Sequence, residues 1–173
     1  MSLKLVAALL LGGAVVQAAT SQDPVRLCIE YAVQAPAPAR AAFTQELRVL
    51  FANQRLRIDR RSCATTADVV LTVRSDRAKI PADALGLAFR QRTGIGGRLE
   101  VFLEPLMRET QAGCWETVGR ARARVAGHEL LHFLAQSAEH DESGLHAERV
   151  GRRVLTSKDN RPILVSRLHA ARP

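Results

Sequence analysis

The sequence predicts an α+β domain, and three observations carry that expectation. Segments that alternate apolar and polar residues, or run apolar for five or six residues, occupy most of the first two thirds of the chain and read as strands. Two segments instead repeat their apolar residues every three or four positions and read as helices, the second long and late in the order. The chain also lacks an internal repeat or low-complexity linker, so its 173 residues suit a single domain once an N-terminal leader is set aside.

That leader is residues 1–18. Lys4 stands in a short charged head, Leu5 to Val16 is an apolar run, and Val16-Gln17-Ala18 puts small residues at the cleavage positions. This is the pattern of a secretory signal peptide, too short to span a bilayer, with cleavage expected after Ala18 or, second, after Ala19. No other stretch approaches the roughly 20 apolar residues a span needs. The expected product is a secreted or periplasmic protein without a membrane span, its single domain covering residues 19–173.

The elements follow in order. Val25 to Val33 alternates and is rich in β-formers, so it reads as a strand. Pro36 and Pro38 open a helix whose stripe is Ala42, Phe43, Leu47, Leu50 and Phe51. Arg55 to Asp59 is a short strand and Asp68 to Val73 a buried one. Leu85 to Arg90 and Leu99 to Leu103 flank a turn at Thr93-Gly94-Ile95-Gly96-Gly97. Pro105 to Gln111 makes a helical turn, and the main helix runs from about Glu116 to Gln136. Ser143-Gly144 breaks the chain, after which Leu145 to Leu155 and Ile163 to His169 are expected to be helical.

Charge and cysteines narrow the function classes. The net charge is +8, carried almost wholly by arginine, since Lys4, Lys79 and Lys158 are the only lysines. The clusters Arg57 to Arg61, Arg120 to Arg124 and Arg149 to Arg153 are short and interrupted, and one Trp and one Tyr offer little surface for base stacking. Both points argue against a nucleic-acid partner. Cys28, Cys63 and Cys114 would meet an oxidising compartment, which predicts one disulfide and one free thiol without choosing among the three pairings. Their wide spacing excludes a zinc ribbon.

The main helix carries the chemistry. His128-Glu129-Leu130-Leu131-His132 is an H-E-x-x-H pattern inside an apolar run. Histidines four apart lie on one helix face, one turn apart, so both imidazoles can reach a single Zn²⁺ at about 2.0–2.1 Å. Glu129, beside the first, is placed to take a proton from a metal-bound water as general base. His140, eight residues after His132, is the candidate third ligand, with Gln136 to Glu139 long enough to reverse the chain. His146 admits three readings: ligand, stabiliser of a developing oxyanion, or ordinary loop residue, the last preferred. Glu139, Asp141, Glu142 and Glu148 are carboxylates within reach of the imidazoles, most of them expected to face solvent.

On these residues the chain resembles the zincin group of zinc metallopeptidases, nearest its metzincin-like branch. The resemblance implies a twisted mixed sheet with two main helices, the second bearing H-E-x-x-H, and a small helical C-terminal part. It also implies that strand Asp68 to Val73 is interior and that Leu85 to Arg90 is the edge strand facing substrate. The chain departs from the metzincin signature: Ala135 and Ala138 stand where that pattern has Gly and its third His, and His146 where the methionine turn would be. The expected function is hydrolysis of a peptide or protein substrate, with Zn²⁺ as cofactor, His128, His132 and His140 as metal ligands and Glu129 as catalytic base. The alternatives are a non-catalytic, zinc-stabilised scaffold or binding protein of the same fold, and a basic module for anionic polymers. The oligomeric state is left open.

Overall fold

A computed structural model of the chain describes residues 24–52, 54, 56–59, 63, 67–75, 84–91 and 94–159. The leader over 1–18 and the helix expected over Ile163 to His169 lie outside the described residues.

Five strands and four helices follow in the order β1 (Val25–Tyr31), α1 (Ala37–Leu50), β2 (Leu56–Asp59), β3 (Val69–Arg74), β4 (Gly86–Gln91), β5 (Gly94–Phe102), α2 (Leu103–Thr110), α3 (Trp115–Ala135) and α4 (Arg152–Thr156). The strands form one sheet in the order β2-β1-β3-β5-β4. All neighbours are parallel except β4 and β5, which pair antiparallel as a hairpin. The domain is therefore α+β with a mostly parallel sheet; β3 is the central strand, as expected, and β4 is an edge.

The sequence pattern explains the layering. Strand β3 alternates buried Val69, Leu71 and Val73 with half-buried neighbours, and β1 buries Leu27, Cys28 and Ile29. Of these, Leu27, Ile29, Val69 and Leu71 join Phe43, Leu47 and Leu50 of α1 and Val125, Ala126 and Leu130 of α3 in one core. Each large apolar side chain fully buried there contributes about 1.5–3 kcal/mol. Helices α1 and α3 pack on one another, and α3 also lies over β4 and β5. The helix pair approaches closely at Gly119, where a Cβ would stand 2.3 Å from the Ala39 carbonyl oxygen. Arg124, wholly buried, donates from Nε to Glu46 Oε1 at 2.7 Å and from Nη1 to the Val154 carbonyl, tying α3 to α1 and α4. Cys28 and Cys63 form the disulfide, and Cys114 is the free, exposed thiol.

Two expectations are corrected. The glycines at 94, 96 and 97 belong to β5 and not to a turn. Gly97 explains part of this, because a Cβ there would meet the Asp68 carbonyl oxygen at 2.1 Å. The helix expected over Leu145 to Leu155 shortens to α4 at Arg152–Thr156. Gly144 takes a left-handed φ of 87°, and Asp141 N–H donates to the His146 carbonyl at 2.9 Å. The Leu145 carbonyl is also engaged by a histidine on α3. Backbone groups committed to these partners are not free for the i→i−4 ladder of a helix.

Candidate metal centre

Helix α3 presents the site. Its face bearing Val118, Ala121, Val125 and Leu130 is drawn into the core, which carries His128, Glu129 and His132 inward with it; all three are under a tenth exposed. The helix ends at Gln136, whose φ of 51° is left-handed, and Ser137 N–H then donates to the His132 carbonyl at 3.3 Å. This cap reverses the chain within a residue or two of the last turn. As a result the Ser137 carbonyl faces His132 Nδ1 at 2.9 Å.

The tautomers of the two helix histidines follow from their partners. His128 Nδ1 lies 2.8 Å from the Leu145 carbonyl oxygen, and His132 Nδ1 has the Ser137 carbonyl. A carbonyl only accepts, so each Nδ1 carries a proton, and in the neutral ring Nε2 then holds the lone pair. The two Nε2 atoms face each other 3.1 Å apart. Two lone pairs at that distance repel unless a cation lies between them. Two zinc–nitrogen bonds of about 2.0–2.1 Å at a tetrahedral angle place their nitrogens about 3.3–3.4 Å apart, close to what is seen. A backbone carbonyl on the outer nitrogen is also the usual way a protein orients a ligating histidine. The donor set therefore fits a zinc ion.

The reversed chain brings His140 to the pair. His128, His132 and His140 each offer a ring nitrogen, and these lie within 4.8 Å of one another. His140 is exposed on its loop, whereas the other two are buried. Burial pushes the His128 pKa down to about 4 against the opposing Leu145 bond, so its ring is neutral at pH 7, as ligation requires.

His146 lies closer to this centre than an ordinary loop residue. Its ring centroid is 4.8 Å from that of His132 and 5.7 Å from those of His128 and His140. Its Nε2 faces the outer nitrogen of His132, Nδ1, at 3.4 Å. On its other side Asp141 Oδ2 stands 3.8 Å from His146 Nδ1. The spacing H-x₅-H from His140 gave no signal for this, because the turn at Gly144 that folds the loop back is a tertiary feature.

Glu129 sits beside the histidines against the edge strand. Burial pushes its pKa up to about 8, opposed by the bond it accepts from Ala88 N–H. It opens onto a cleft of about 680 Å³ lined by residues 84–88, at the start of the edge strand, and by His128, His132 and His140. Glu109, Glu148 and Arg149 also line the cleft. Glu148 was among the carboxylates read as possible partners of the imidazoles, whereas Glu109 and Arg149 were not legible as site residues; the alternation Ala84-Leu85-Gly86-Leu87-Ala88 is a sequence signal of a strand with one small-residue face. No protein-family model matches the chain, and a search of curated proteins gives no significant match.

Proposed function

We propose that this chain is an exported, zinc-dependent metallopeptidase of the zincin group. The observation that carries the reading is the pair of Nε2 atoms 3.1 Å apart, both outer nitrogens spent on backbone carbonyls. The buried Glu129 beside them and the open cleft along β4 extend the reading from a metal site to a catalytic one.

His128, His132 and His140 would hold the ion. Bound there, zinc supplies Lewis acidity and lowers the pKa of its water to about 7. The chain's own contribution is then positional and protonic. Ionised once a cation is held beside it, Glu129 would take the proton of the attacking water on its carboxylate and return it to the leaving nitrogen. Ala88 N–H, bonded to that carboxylate, favours its ionised form and fixes its direction. The Leu145 and Ser137 carbonyls hold the two helix imidazoles in the ligating tautomer. As an edge, β4 offers unpaired backbone groups along the cleft, which an extended peptide can meet as an added strand.

The test is metal analysis of the purified protein, run beside digestion of a broad peptide library. One zinc per chain and metal-dependent cleavage are expected. Bound zinc without any cleavage would favour a zinc-stabilised scaffold, and a chain without affinity for zinc would remove both readings.

A further inference from the structure

We infer that Gly86 is a positioning residue, the gap in the edge strand that lets the Glu129 carboxylate lie beside the metal site. The inference rests on the peptidase reading above but is tested separately from it.

Gly86 opens β4, and its backbone φ lies outside the left-handed region, so the strand does not need glycine for its conformation. What it needs is space. A Cβ built on Gly86 would stand 2.8 Å from Glu129 Oε1, 2.9 Å from Glu129 Cγ and 2.8 Å from Val125 Cγ1. Real Cβ atoms do not approach that closely, so any side chain at 86 must displace the Glu129 carboxylate or the helix turn that carries it. The two options differ in cost. The carboxylate ends a flexible side chain, whereas Val125 is buried in the core between helix and sheet.

The neighbouring positions support the same conclusion. Successive side chains of a strand alternate between faces, so positions 86 and 88 of β4 share one. The smaller residue, Gly86, is opposite Glu129, and Ala88 two residues on supplies the N–H that holds the same carboxylate. Gly86 admits Glu129, and Ala88 directs it. The added methyl of an alanine at 86 points at α3 and not along the open strand edge, so peptide pairing with β4 is left intact.

The experiment is Gly86→Ala in the full chain, with zinc content, kcat and KM measured, and the visible spectrum of the cobalt-loaded protein compared with those of wild type and Glu129→Gln. The expected result is full metal content, unchanged KM and a fall in kcat of about 10- to 100-fold, part of the 10²–10⁴ that removing a general base costs. The cobalt spectrum should shift toward that of Glu129→Gln. Wild-type kcat with a wild-type spectrum would overturn the inference, as would loss of metal from a folded variant. If Gly86→Ala does not fold, Gly86→Ala combined with Val125→Ala relieves the core contact while keeping the methyl against Glu129, and is read by the same criteria. If the wild type cleaves no peptide, the peptidase reading fails, and the cobalt comparison alone still decides whether residue 86 sets Glu129.

Discussion

Replacing Glu129 by Gln should stabilise the metal-free protein at neutral and alkaline pH and do little for it near pH 4. Glu129 is 7% exposed, and burial moves its carboxyl from 4.5 to about 8. Between those values the unfolded chain has released the proton while the folded chain still holds it. The unfolded state thus binds fewer protons, and stability falls as pH rises through this window. A tenfold change in a protonation equilibrium is worth about 1.4 kcal/mol, so the burden is on the order of 3 kcal/mol at pH 7 and 5 kcal/mol above pH 8. Glutamine has nearly the same shape, accepts the same bond from Ala88 and does not titrate. His128, whose lowered pKa weakens the fold as pH falls below 6.5, acts equally in both proteins and cancels in the difference. The assay is urea unfolding followed by circular dichroism in the presence of a chelator, at a series of pH values from 4 to 9. The two stability curves should meet at the acid end and diverge as pH rises. Parallel curves, or a variant less stable at pH 8, would refute the reasoning.

Other expectations follow from the same geometry. His140→Ala should lose bound zinc and activity, whereas His146→Ala, whose Nε2 faces the outer nitrogen of His132, should keep zinc at normal stoichiometry; the reverse outcome would reassign the third ligand. Arg122 is wholly buried, and its three guanidinium nitrogens have no hydrogen-bond partner among the described residues. Arg122→Met should therefore stabilise the protein by about 1–3 kcal/mol, seen as a rise in Tm, and a fall would show that the guanidinium has a partner. N-terminal sequencing of the exported protein should begin at Ala19 or Thr20, and recovery of Met1 or Ser2 on exported, folded protein would remove the leader.

What was legible in the sequence was whatever depends on local periodicity. Alternation in Val25 to Val33 and the apolar run at Asp68 to Val73 gave β1 and β3 to within a residue or two, because half-buried and fully buried strands leave those patterns directly. The spacing of His128 and His132 gave the core of the site, because a helix fixes the relation of residues four apart. The third histidine was read from chain length alone, and the loop does bring it to the pair. What was not legible depends on tertiary partners. The Leu145 carbonyl is claimed by His128 across 17 residues, so a segment with helical periodicity forms turns and bends and becomes helical only at Arg152. His146 arrives at the centre through a turn at Gly144, and Gly86 matters only because α3 crosses the sheet at that point. The choice of Cys28 and Cys63 follows from strand order, which no cysteine spacing encodes.

The most direct test of a metal centre served by a base is zinc stoichiometry and peptide cleavage measured together on wild type and Glu129→Gln. Glu129 faces the cleft and Ala88, and the ring nitrogens of His128, His132 and His140 alone form the donor group among the described residues. The variant should bind one zinc per chain as the wild type does, while its cleavage rate drops by about 10²–10⁴. Loss of zinc from the variant would make Glu129 a ligand, and cleavage at the wild-type rate would leave it without a catalytic role; either result contradicts the account.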